Sequence, residues 1–200
     1  MTNSKPTRRR FFLACGVCLA LLWADASTYA QDKDKAAAAP TEKLKKHLGP
    51  VVIDYLGRVT KGEAFRVGNL DHTKFGETGW IAGRVVAGKP VVVDEKTTAR
   101  LVAALLSDDT YFREDSLGTK TAVGYRFWTD DKGCVEVSFC LVKGALNMTV
   151  KDAKGDVVVK RAKGGLRGDL TNPLRMIAQE LFPDDKEVQN ANWGQKKDSK

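Results

Sequence analysis

The sequence predicts an α+β fold: a mostly antiparallel sheet with two or three helices packed on it. Three observations lead there. Residues 121–129, 134–142, 145–152 and 156–161 are four short alternating runs in close succession, the pattern of an antiparallel meander. Asp130-Asp131-Lys132-Gly133 and Asp152-Ala153-Lys154-Gly155 supply turn residues at two of the joints. Helical spacing of apolar residues recurs near 95–107 and 173–182, before and after the meander rather than between its strands.

The chain has 200 residues, of which 42% are hydrophobic and 29% charged, with a formal net charge of +8. That length fits one ordinary domain, or at most two very small ones. With 18 Gly, 6 Pro and 4 Cys, collagen-like and disulfide-dense classes are excluded, and the apolar content excludes a wholly disordered chain.

Residues 1–30 read as a secretory signal peptide. Lys5, Arg8, Arg9 and Arg10 form a basic start, and Phe11 to Trp23 are uncharged and largely apolar. Small residues follow, with cleavage expected after Ala26 or Ala30. Thirteen helical residues rise about 20 Å, short of the roughly 30 Å hydrocarbon core, so the segment is too short for a stable anchor. Contact with a membrane is therefore expected only through this transient segment. Thr7-Arg8-Arg9-Arg10-Phe11-Phe12 has the form of a twin-arginine export motif, and a general secretory signal rich in arginine is the alternative. Either route delivers the chain to the periplasm or beyond. Removal of 1–30 takes away four basic residues and Asp25, leaving a formal +5. That modest charge is a matter of solubility, and no nucleic-acid partner is expected.

Residues 31–48 are charged and alanine-rich and read as a flexible spacer merging into a weak helix; residues 184–200 read as a polar disordered tail. Between them, 49–183 make a single domain. Pro50 at a first helical position, with Val52, Tyr55, Leu56 and Val59 at helical spacing, favours a short helix over a strand. Glu63–Asn69 alternates as a strand, and 70–79 is a polar loop. Trp80–Val86 supplies one short strand and Val91–Val93 another. Asp94 caps a helix to about Ser107 whose stripe is Leu101, Val102, Leu105 and Leu106. Tyr111-Phe112 tucks back onto the core. In the meander Val135, Val137, Phe139 and Leu141 share a face, matched by Leu146, Met148 and Val150 on the next strand. Asn172-Pro173 opens the last helix, with Leu174, Ile177, Ala178 and Leu181 as its stripe and Pro183 as its stop.

Chemistry is sparse. Cleavage of the signal removes Cys15 and Cys18, leaving Cys134 and Cys140. Six residues of one strand separate these by about 20 Å, whereas a disulfide needs Cα atoms within about 7 Å. Beyond residue 30 there is no CxxC and no histidine cluster, so no metal or cofactor is expected. His47, in the charged N-terminal segment, and His72, in the polar loop, are the two histidines, and a Cys140–His72 nucleophilic pair calls for proximity that spacing does not supply. Gly83-Arg-Val-Val-Ala-Gly88-Lys89-Pro90 approaches a P-loop, but Pro90 has neither hydroxyl nor N–H for a nucleotide, and a turn is expected. The acid pairs Asp108-Asp109, Glu114-Asp115, Asp130-Asp131 and Asp184-Asp185 sit at ends and turns, where aspartate is favoured for backbone reasons. Lys160, Arg161, Lys163 and Arg167 form a basic, glycine-rich loop able to hold an anionic ligand. Trp128 lies on the strand face opposite Val123, Tyr125 and Phe127, so a second face of the sheet meets either a cover or a ligand.

Glu63-Ala-Phe-Arg-Val67, Trp80-Ile-Ala-Gly83, Val91–Asp94 with its helix through Leu105-Leu106-Ser-Asp, Tyr111, Val135-Glu-Val-Ser-Phe-Cys140 and Ala178-Gln-Glu-Leu-Phe-Pro183 occur in this order. The series, across about residues 50–185, resembles a family of small exported bacterial proteins of uncharacterised function. Members often carry a second cysteine three residues after the one matching Cys140; this chain has Lys143 there. The resemblance implies no activity. The expectation is an exported, non-catalytic binding or structural domain of the bacterial envelope, its partner an envelope protein or a small ligand. A thiol-dependent enzyme or redox sensor using Cys140, and a small anionic-ligand-binding module, are the alternatives.

Overall fold

Four short strands that alternate apolar and polar residues fold into a sheet, and the apolar face of that sheet collects the helices. The structure, a computed structural model, describes residues 40–68, 79–112, 122–142, 144–166 and 172–191. The expected signal peptide, His72, Glu114-Asp115 and Arg167 lie outside the described residues. The helices are α1 (Glu42–Leu48), α2 (Pro50–Gly57), α3 (Glu95–Leu105), α4 (Pro173–Leu181) and α5 (Lys186–Gln189). The strands are β1 (Val59–Gly68), β2 (Trp80–Ile81), β3 (Arg84–Val86), β4 (Val91–Val93), β5 (Tyr111–Phe112), β6 (Ala122–Thr129), β7 (Cys134–Cys140), β8 (Ala145–Lys151) and β9 (Val157–Leu166). All nine form one antiparallel sheet in the order β2-β3-β1-β6-β7-β8-β9-β5, and β4 pairs with β1 as well. This is the α+β architecture expected, with the meander β6–β9 at its centre.

Helix starts follow local chemistry. Asp94 Oδ1 accepts from the Thr97 N–H at 2.8 Å, and Asn172 Oδ1 from the Leu174 N–H at 3.0 Å. Pro50 and Pro173 occupy first-turn positions, where a missing N–H costs nothing. One face of the sheet presents Val123, Tyr125 and Phe127 of β6, Val135, Val137 and Phe139 of β7, and Leu146, Met148 and Val150 of β8. The registers Val135↔Val150, Val137↔Met148 and Phe139↔Leu146 put the expected partners side by side. Leu101 and Leu105 of α3 and Leu174 and Ile177 of α4 complete the same core. Each fully buried aliphatic or aromatic side chain contributes roughly 1.5–3 kcal/mol, so this layer dominates stability.

The structure corrects the expected boundaries. Within 31–48, Glu42–Leu48 is the helix α1, begun by Thr41 Oγ1 accepting from the Leu44 N–H, and Leu44 and Leu48 are buried in the main core. Within 184–200, α5 buries Val188, and Ala191 is buried beyond it. Arg66 holds this segment down by donating from Nε to Asp185 and from Nη2 to Glu187. Charge and alanine content conceal one or two apolar anchors per segment, and those anchors suffice to dock it. Trp80–Val86 is a hairpin rather than one strand, turning at Ala82 (φ 45°) and Gly83 (φ 80°). The region 160–166 is not a loop: β9 continues through it to Leu166, which pairs with Tyr111 of β5.

A candidate binding face around Glu136

Alternation along β6 and β7 sends every second residue to the side away from the helices. The register aligns Glu63 of β1, Arg126 of β6, Glu136 of β7 and Thr149 of β8 in one row. The next row is Lys61, Trp128, Cys134 and Lys151. A third runs Phe65, Gly124, Ser138, Asn147 and Lys163. The β2–β3 hairpin folds over part of this face, with Ile81 buried in a second small core with Phe65, Val67, Ala82 and Val86. Gly124 makes that possible: a Cβ there would stand 2.9 Å from Ile81 Cγ2 and 3.0 Å from Val67 Cγ1.

At the centre is a buried carboxylate. Glu136 is only 2% exposed. Its Oε1 accepts from Arg126 Nε at 3.1 Å, Arg126 Nη2 at 2.9 Å and Lys151 Nζ at 2.9 Å. Its Oε2 accepts from the Ala82 N–H at 3.3 Å, and the Ser138 hydroxyl donates to the Ala82 carbonyl at 3.4 Å. Two cations and a backbone donor offset the cost of taking the charge out of water. The same contacts fix Arg126 and Lys151, whose side chains remain about a quarter exposed. The Arg126 guanidinium also lies 5.4 Å from the Phe65 ring centre and 5.6 Å from that of Trp128, within cation–π range. Trp128 Nε1 makes a long contact of 3.5 Å to Glu63 Oε2, and Lys61 Nζ stands 3.3 Å from Glu63 Oε1. Trp80 is 40% exposed, and its carbonyl lies 3.5 Å from Arg126 Nη2. Val92, opposite Glu63, is 72% exposed.

The candidates from sequence divide accordingly. Trp128 belongs to this face, as expected. Cys134 stands opposite Trp128, and Cys140 opposite Ala122; both are buried, and no disulfide joins them. Burial pushes the Cys134 thiol above its ordinary range, and the neighbouring Glu136 charge adds to that, with Lys151 and Arg126 acting against it. A nucleophilic thiol needs the opposite environment, exposed and electropositive. Lys163 takes the register position opposite Asn147, in line with the third row. Lys160 and Arg161 fall where the β8–β9 register shifts between Met148 and Val150, a bulge. The acid pairs within the described residues are backbone devices: Ser107 caps the 3₁₀ turn of Asp108-Asp109, Asp131 accepts from the Gly133 N–H, and Asp185 caps α5. The glycines of the P-loop-like stretch serve the hairpin turn and the approach to β4, and no helix begins until Glu95.

Sequence reading missed Arg126, Glu136 and Lys151. A signal for them existed. A turn at 130–133 pairs Arg126 with Glu136 across the hairpin, and a charged pair in mid-strand marks a face that is not plain core. Among the described residues no three His, Cys, Asp or Glu side chains converge as metal ligands, and no helix is long and apolar enough to cross a membrane. Compared with protein-family models, curated proteins and solved structures, the chain matches none.

Proposed function

We propose that this protein is an exported domain of the bacterial envelope that acts by binding, through the outer sheet face around Glu136. Its resemblance to small exported bacterial proteins belongs to the same reading. One observation carries the choice of face. The Glu136 carboxylate is consumed by Arg126, Lys151 and the Ala82 N–H, and so serves as a fixed counter-charge. A general base needs an oxygen open to the proton it removes; this carboxylate instead pre-orders two cations beside Trp128 on a partly accessible surface. Pre-ordering of that kind lowers the entropic cost of binding. The basic n-region, short apolar stretch and small-residue exit of residues 1–30 support export.

The test has two parts. Osmotic shock of the producing cells should release a chain whose intact mass begins at Ser27 or Gln31. A photo-crosslinking residue at position 61 should form adducts in those cells, and one at position 96 on α3 should not. A full-length chain retained in the cytoplasm would sink the export reading. Equal crosslinking from both positions would sink the assignment of the face.

A further inference from the structure

We infer that the ligand of this face is an acidic saccharide, a chain of sugars bearing scattered carboxylates; the inference rests on the binding-face reading above. Three features of the face select that chemistry. Trp128 offers aromatic surface of the kind that takes the C–H side of a sugar ring, beside the Arg126 guanidinium 5.6 Å from its ring centre. Lys61, Arg126 and Lys151 offer donors for a carboxylate, with Arg126 and Lys151 already held by Glu136. Glu63 offers an acceptor. Its carboxylate lies 3.3 Å from Lys61 Nζ and 3.5 Å from Trp128 Nε1, so it stands among the donors rather than apart from them. Hydroxyl groups both donate and accept, and a surface mixing the two satisfies them.

An acidic peptide is the competing occupant. Among the described side chains Lys61, Arg126 and Lys151 face Glu63 and Glu136, an excess of one positive charge, with Lys163 at a register position in the neighbouring row. A dense polyanion meets repulsion from Glu63 and gains little from that excess. A saccharide with one carboxylate for every two sugars matches it, an uncharged ring lying against the Trp128 indole.

The experiment is a titration of tryptophan fluorescence in the full mature chain. The probes are an alternating glucuronate–N-acetylglucosamine oligosaccharide, an uncharged N-acetylglucosamine oligomer of the same length, and poly-glutamate. The uronate oligomer should bind saturably and weaken as salt is raised. Lys61→Glu should weaken it about fivefold or more, and Trp128→Ala about tenfold. Lys96→Glu, the same charge change on the opposite layer, should leave it unaltered, and thermal melts identify any variant that fails to fold. The uncharged oligomer should bind at least tenfold more weakly, and poly-glutamate more weakly still. Absence of saturable uronate binding, or indifference to Lys61→Glu and Trp128→Ala, overturns the inference. Tighter binding of poly-glutamate overturns it too, and leaves the face itself standing. Crosslinking from position 61 then separates a wrong ligand from a wrong face.

Discussion

Glu136 shows how one residue can be neutral to the fold as a pair and costly as a remnant. Replacing it with alanine leaves Arg126 and Lys151 facing each other's charge without the carboxylate between them. Urea unfolding of Glu136→Ala should show a loss of about 3 kcal/mol, and the triple variant with Arg126 and Lys151 also made apolar should recover much of it. The thiols give a second check at this scale. Cys134 and Cys140 are buried, and Cys134 titrates above its ordinary range. A thiol reagent at neutral pH should therefore label the native protein no faster than it unfolds, and label both positions at once in denaturant. Rapid labelling of Cys140 in the native state would restore it as a nucleophile. Residue roles were the least legible part of the sequence. Trp128 stood out because alternation set it against Tyr125 and Phe127, whereas Glu136 lay inside Val135-Glu-Val137, where burial on both sides of β7 conceals the polarity of one of them.

Elements were more legible where the turns announce themselves. Asp130-Asp131-Lys132-Gly133 and Asp152-Ala153-Lys154-Gly155 set strand ends within a residue or two of those found, and β6, β7 and β8 follow. The β2–β3 hairpin was not legible, because its two turn positions with positive φ are Ala82 and Gly83 rather than Asn-Gly. Its seat is testable. Gly124→Ala places a methyl group against Ile81 and Val67, both β-branched and buried, and should cost about 1–3 kcal/mol. Hydrogen exchange should then rise first at Ile81 and Val86. The 130–133 turn carries one testable pH dependence. Asp131 accepts from the Thr129 hydroxyl, from Arg58 Nη1 and from the Gly133 N–H, and these hold its carboxyl at about 2 against an ordinary 3.8. A depressed carboxyl lends stability above its ordinary value and loses it as pH falls through the folded value. The melting gap between wild type and Asp131→Asn should accordingly be present at pH 6 and close as pH approaches 2.

Across the whole molecule, the α+β class and the helix-covered meander were readable from periodicity alone, and the outer limits of the domain were not. Composition averages over a segment, but docking depends on single side chains such as Leu44 and Val188. Val188→Asp tests the C-terminal limit. It puts a charge where exposure is 0% and should release α5 from Arg66 and the core, lowering the melting temperature and opening 184–191 to proteolysis. A silent Val188→Asp would mean that the domain ends at Pro183 after all.

The outermost strands among the described residues are β2 and β5, of two residues each, and β4, of three. Each presents too little unpaired backbone to template another chain, and Pro90 stands directly before β4. A protein that crowds together at high local concentration meets its copies edge to edge as often as face to face. The exception to these short margins is β9: β5 pairs with it only at Gly165 and Leu166, no other described strand covers its margin from Val157 onward, and Val157 and Val158 are half exposed, so aggregation should begin along β9 before β6 and β7 come apart.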